Sequence, residues 1–250
     1  MKKHYTKGFF KERNIGALKS AEIIVPIVLD LIHPKSVVDV GCALGEFLYI
    51  FKENGVEDIL GIDGEWVDKK KILIPENQFL AHNLENPLNV SRKFDLALCL
   101  EVAEHLDEKY SGLLIENLTN LSPVVLFSAA IPYQGGTHHI NEQWQDYWAK
   151  IFEERNYLAI DCIRKKIWDN KEVGVHYRQN ILIFAEKNYI ENNNNLLKEY
   201  EKNNCILSIV HPELYLPKAI RDNYIKKIKN VIPSFIEKFL VKVKNLYFRG

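Results

Sequence analysis

The chain has 250 residues, enough for one full hydrophobic core with an appendage. Its 33 basic and 33 acidic side chains cancel to a formal net charge of zero, so no global field points to nucleic acid. The four cysteines, Cys42, Cys99, Cys162 and Cys205, are scattered with no C-x-x-C pair; this suits a reducing compartment and excludes a thiolate zinc site.

Residues 1–35 read as an N-terminal cap ending in a helix over 18–31, which stops before His33-Pro34. The first residues lack the apolar core of a signal peptide. The most apolar run, 21–32, is short and carries Glu22, Pro26 and Asp30, so no transmembrane segment is expected and the protein is expected to be cytoplasmic. Apolar strands then alternate with amphipathic helices, the mark of an α/β sheet. Strands are predicted at 36–40, 58–62, 78–81, 94–98 and 124–128, with 157–164 and 179–186 able to pair antiparallel at an edge. Helices are predicted at 46–54, 106–118 and 143–155. The asparagine run within 191–195 reads as a linker, so the sheet domain is expected over 36–187 and a C-terminal helical extension over 188–250. In its basic part, 218–249, Ile220, Ile225, Ile228, Phe235, Phe239 and Val243 fall near helical spacing, and Pro233 should divide two helices. Such a segment either packs back on the domain with its lysines solvated or touches an anionic membrane surface or a partner.

The segment 37–48, Val-Val-Asp-Val-Gly-Cys-Ala-Leu-Gly-Glu-Phe-Leu, organises the rest. A β-branched run, a turn at Gly41 and Gly45, and a helical pattern from Glu46 place a ligand pocket at the carboxyl end of a parallel sheet. Asp63, in Gly61-Ile62-Asp63-Gly64, follows Gly41 by 63 − 41 = 22 residues. That is where a carboxylate accepts both hydroxyls of an adenosine ribose. A dinucleotide would call for G-x-G-x-x-G around its pyrophosphate, whereas this loop has Asp39 before it and Glu46 after it. Carboxylates beside the loop suit the cationic amino-acid portion of S-adenosylmethionine instead.

These residues resemble the class I S-adenosylmethionine-dependent methyltransferases. Residues 37–45 look like their first motif and 61–64 their second; 79–84 sits where the adenine-flanking motif is expected, and 94–106 looks like the fourth. The likeness spans about 19–186 and implies a Rossmann-like, seven-stranded, mostly parallel sheet flanked by helices. It implies donor contacts at Asp39, Gly41, Cys42, Ala43, Gly45, Asp63, Gly64, Asn83, Leu84 and Leu100. Ala43 replaces the usual middle glycine and is expected to keep a negative φ. Asn83 stands where an aspartate usually meets the adenine amine, and its amide oxygen can still accept that hydrogen bond. Residues 128–144, Ser-Ala-Ala-Ile-Pro-Tyr-Gln-Gly-Gly-Thr-His-His-Ile-Asn-Glu-Gln-Trp, further resemble a bacterial subgroup in surface or capsular polysaccharide biosynthesis, including enzymes linked to O-methyl phosphoramidate decoration. By that resemblance the acceptor is a sugar or phosphoramidate group of a glycan precursor.

Two clusters are candidates for the acceptor side. Glu101, Glu104 and His105 are expected to leave the fourth strand and enter the next helix, projecting to one side. His105 can serve as a base for oxygen methylation. Glu-x-x-Glu-His also looks like the divalent-metal set of the small-RNA end methyltransferases and ubiquinone-pathway O-methyltransferases, completed by a distant histidine or water; magnesium or manganese would suit it. His139 is the better base or fourth ligand by resemblance, in a glycine-containing lid where Asn141 is expected to cap a helix packed through Trp144, Tyr147 and Trp148. Arg178 could hold an anionic acceptor, or be structural. Three alternatives remain: an NAD-linked sugar-modifying enzyme, an RNA methyltransferase, and a non-catalytic donor-binding partner of a homologous methyltransferase. No Tyr-x-x-x-Lys pair supports the first, the nearest miss being Tyr224 with Ile228, and positive charge far from the pocket speaks against the second.

Overall fold

A computed structural model of the chain describes the backbone of residues 7–202 and 206–231, with side chains over 16–202 and 206–222. Seven strands form one sheet: β1 (Ser36–Val40), β2 (Asp58–Asp63), β3 (Phe79–Ala81), β4 (Leu96–Leu100), β5 (Val124–Ser128), β6 (Tyr157–Ile160) and β7 (Leu182–Glu186). Their order is β3-β2-β1-β4-β5-β7-β6, with β7 antiparallel to both neighbours and the other pairings parallel. This is the Rossmann-like, seven-stranded arrangement that the resemblance implies. The order reverses between β1 and β4, and that crevice at the carboxyl ends is where such sheets bind ligands.

The strands read as continuous apolar runs because both faces are covered. On one face Val37, Ile59, Leu98 and Leu126 pack beneath α1 (Lys7–Ile32) and α2 (Glu46–Glu53). On the other, Val38, Val40, Cys99 and Phe127 meet α3 (Ser111–Leu121) and α4 (Gln145–Glu153). Phe152 stacks on Phe184 at 4.0 Å and Phe127 meets both edge-on. The N-terminal helix is more than a cap: Ala21, Ile24, Val25 and Val28 are wholly buried in the first core.

Several sequence boundaries move. β4 starts two residues late, because the Asp95 carboxylate accepts the Lys35 and Ser36 N–H groups below the sheet. α3 begins at Ser111 rather than 106, after two single 3₁₀ turns, Ala103–His105 and Glu108–Tyr110. The segments predicted as long edge strands are shortened by α5 (Arg164–Ile167) and α6 (Val175–Asn180), which lie between β6 and β7. Arg164, the last residue of the strand expected over 157–164, opens α5. It is fully buried, bidentate to Asp161 at 3.0 and 2.8 Å and donating to the Gln179 and Leu207 carbonyls.

The asparagine run is not a linker. α7 (Lys187–Asn192) and α8 (Asn194–Glu201) are separated only by Asn193, whose side chain caps α8, and both belong to a compact unit ending at Ile209. A second unit, Val210–Gly250, contains α9 (Pro212–Val231), which runs through Pro217. The break at Pro233 and most of the basic segment lie outside the described residues. Among the described residues no helix is long and apolar enough to cross a membrane.

Candidate active site

The glycine turn joins β1 to α2. Gly41 has φ +87°, its N–H donates to the Ile62 carbonyl at 2.7 Å, and a Cβ there would lie 2.3 Å from Val102 Cγ2. Conformation and space both demand glycine. Gly45 also sits at positive φ, facing Ile74. The expected negative φ at Ala43 is overturned: it is +50°. For a residue with a Cβ this left-handed geometry costs about 1 kcal/mol. Asp63 holds it there, Oδ2 accepting the Ala43 N–H at 2.8 Å while Oδ1 accepts the Gly64 N–H at 2.6 Å. A carboxylate has further lone pairs, so a ribose can still be accepted.

Asp39, Glu46 and Asp63 are all buried around this loop. Burial, reinforced by Glu46 and then Asp63, pushes the Asp39 carboxyl up to about 8. A cation placed in this cradle would favour the ionised form of Asp39. The Cys42 side chain points into the core, its Sγ 2.8 Å from where a Cβ on Gly61 would sit, so only its backbone faces the loop. Leu84 and Leu100 are buried core residues. Asn83 is exposed, and its Oδ1 already accepts the Glu85 N–H at 3.1 Å. Trp66 lies against Gly64, where any Cβ would strike its ring; nothing in the sequence pattern singled it out.

The acceptor-side candidates divide in two. Glu104, His105 and His139 converge, one ligand atom from each lying within 4.8 Å of the others. Glu104 and His105 sit in the 3₁₀ turn after β4, not in the next helix as expected. His139 arrives from the segment after β5, fastened by the Ile140 and Asn141 N–H groups donating to the Glu104 carbonyl. The His105 Nδ1 lies 3.2 Å from the His138 carbonyl, and His139 Nδ1 lies 3.0 Å from Glu142 Oε1. Carbonyl and carboxylate oxygens only accept, so both rings carry their proton on Nδ1 and present Nε2 as the basic nitrogen. The role of Glu142, orienting His139 and accepting the Gly135 N–H at 2.7 Å, was missed in sequence.

Glu101 does not join the trio. Held at φ +56° with its N–H donating to Ser128, it is buried against Asn180 and Gln134. Asn141 caps no helix; its buried amide donates to Ser111 Oγ. Trp148 packs in the core as expected, but Trp144 is exposed. Arg178 is buried and donates to the Val173 and Trp168 carbonyls, a structural role.

A methyltransferase-domain family profile matches residues 17–160, the span that contains the glycine loop, Asp63 and the trio. The chain belongs to the methyltransferase-domain family. No curated protein matches it. Among solved structures it is similar to DesVI from Streptomyces venezuelae, with TM-score 0.56 and 12% identity over 71% of this chain and 95% of that one. The methyltransferase domain of bacterial CtHen1 gives TM-score 0.51 and 20% identity over 67% and 98%. An O-methyltransferase family protein from Burkholderia thailandensis gives 0.53 and 12% over 71% and 59%. At these identities the structures support the fold alone.

Proposed function

We propose that this methyltransferase uses S-adenosylmethionine to methylate an oxygen of a small polar acceptor, a sugar or phosphoramidate group of a surface-glycan precursor. The observation that carries the reading is the acidic cradle of Asp39, Glu46 and Asp63 around a glycine turn at the sheet's switch point. It fits a nucleoside that bears positive charge and suits NAD poorly. The bound donor supplies an electrophilic methyl group on a sulfonium. The chain's own part is to align the acceptor, exclude water and take its proton. His105 and His139 present Nε2 for that step, with Glu104 beside them and Glu101 anchoring the neighbouring backbone. The polysaccharide setting rests on the resemblance of residues 128–144.

Calorimetry with S-adenosylhomocysteine tests the donor half, and a folded protein that fails to bind it rejects the reading. For the acceptor half, His105→Ala and His139→Ala should each lower turnover by about a hundredfold or more while donor affinity stays near wild type. Full activity in both would remove the histidines from the mechanism.

The trio favours a second role, as ligands for a divalent ion. With Glu101 turned away, the set is one carboxylate and two imidazoles, which moves the preference from magnesium toward manganese and its later neighbours. Turnover should then fall on dialysis against a chelator and return with manganese. Unchanged turnover after chelation disposes of the ion.

A further inference from the structure

Glu101, Gln134 and Asn180 come from three separate segments and close a hydrogen-bonded ring. The Asn180 Nδ2 donates to Glu101 Oε1 and to Gln134 Oε1, both at 3.1 Å, while Gln134 Nε2 reaches Glu101 Oε2 at 3.5 Å. Asn180 is only 2% exposed and Glu101 6%. The carboxylate only accepts, which fixes both amide orientations. Gln134 is further committed to its own turn, its Oε1 accepting the Ile131 N–H at 3.3 Å. Two residues in the cluster's backbone hold left-handed geometry: Glu101 at φ +56° and Tyr133 at φ +65°. Such strain persists only where surrounding bonds over-determine it.

The segment joined here is the one that delivers His139. Between Ile131 and Asn141 it has no helix or strand of its own. Its inner end is tied by the ring and its outer end by the Glu104 carbonyl. Remove the ring and the inner end of the segment loses its side-chain anchor, leaving the contacts at the outer end to set the approach of His139 to His105, whose rings now meet edge-on at 4.9 Å.

We propose that Gln134 and Asn180 are positioning residues: by clasping Glu101 from two sides they hold residues 131–141 closed, and so keep His139 beside Glu104 and His105. The inference rests on reading that trio as the acceptor side. Glu101 thereby serves as the fixed post of a lid and not as a base. Its carboxylate is the one charge in the ring, and both amides donate to it, so the clasp depends on one charged and two neutral members.

The test is hydrogen exchange of the full chain, read over the lid amides. Gln134→Glu places a second carboxylate against Glu101 and should speed exchange over 134–141 by about tenfold or more, with the melting temperature of the core little changed. Combining it with Glu101→Gln restores one carboxylate and two amides with their places exchanged. That double variant should return lid exchange to within about threefold of wild type, as neighbours in one network are non-additive. Asn180→Ala should open the lid without rescue by the same exchange. Wild-type lid exchange in Gln134→Glu overturns the proposal, and so does a double variant as open as the single one. Should Gln134→Glu fail to fold, Gln134→Ala takes its place, with the same outcome required. S-adenosylhomocysteine calorimetry on these proteins keeps the two readings apart. Donor binding with an unaltered lid rejects the clasp alone; a responsive lid on a wild type that binds no donor rejects the proposed function alone.

Discussion

Asp63→Asn should weaken S-adenosylhomocysteine binding by about a thousandfold. The Asp63 carboxylate ties two strand ends together, accepting Ala43 N–H with one oxygen and Gly64 N–H with the other. Hydrogen bonds to an ionised group contribute about 1.5–3 kcal/mol each, and a donor left facing a donor costs more. The asparagine amide must turn its NH₂ toward one of these N–H groups, so the loop either loses Ala43 or loses Gly64. It also gives up the acceptor lone pairs meant for a ribose. Calorimetry on the folded variant measures the sum, and affinity within about threefold of wild type would sink the donor site. Ala43→Gly separates the two contributions, because glycine holds a positive φ unaided. In the Asp63→Asn background it should recover affinity to the extent that Asp63 acts by shaping the loop, and recover none where direct contact is what was lost.

Ala43 also marks where sequence reading stopped. The strand, the turn at Gly41 and Gly45, and Asp63 were legible because each follows from local rules: β-branched runs, missing Cβ atoms, and a fixed distance to the next strand end. The backbone at Ala43 depends on a side chain twenty positions away, which no local rule contains. The same holds for Glu101. In sequence Glu101, Glu104 and His105 share a spacing that suggests one face of a helix. The structure gives them a left-handed residue and a 3₁₀ turn, and the partners that pull Glu101 aside lie 33 and 79 residues on. The convergence of Glu104, His105 and His139 was expected only by resemblance. Arg164 had a local signal that went unread, an aspartate three residues before it. Residues 157–164 read as an edge strand, and only the folded chain reveals an arginine that pairs with a buried acid and ties down two carbonyls.

Asp39→Asn should stabilise the ligand-free protein and weaken donor binding, with opposite signs across the same pH range. The wild-type carboxyl is raised from 3.8 to about 8, first by burial, then by Glu46 and Asp63. A raised acid means that the folded state keeps a proton which the unfolded chain gives up above pH 3.8. The stability it contributes is therefore fully present below that value, is lost as pH climbs, and reaches its floor above about 8. Asparagine has no such proton, so the melting temperature of Asp39→Asn should exceed that of wild type by several degrees at pH 8 and lose this part of its pH dependence. Binding works the other way. A cation in the cradle stabilises the ionised form, so the donor must expel the Asp39 proton below pH 8, and affinity should rise with pH until it levels there. Calorimetry in two buffers of different ionisation enthalpy should show close to one proton released per donor at pH 7, and none for Asp39→Asn. Above pH 8 the variant should bind about a hundredfold more weakly than wild type, the gap narrowing as pH falls. A wild type that releases no proton, with a variant neither more stable nor weaker in binding, would mean that Asp39 does not face the donor's charge.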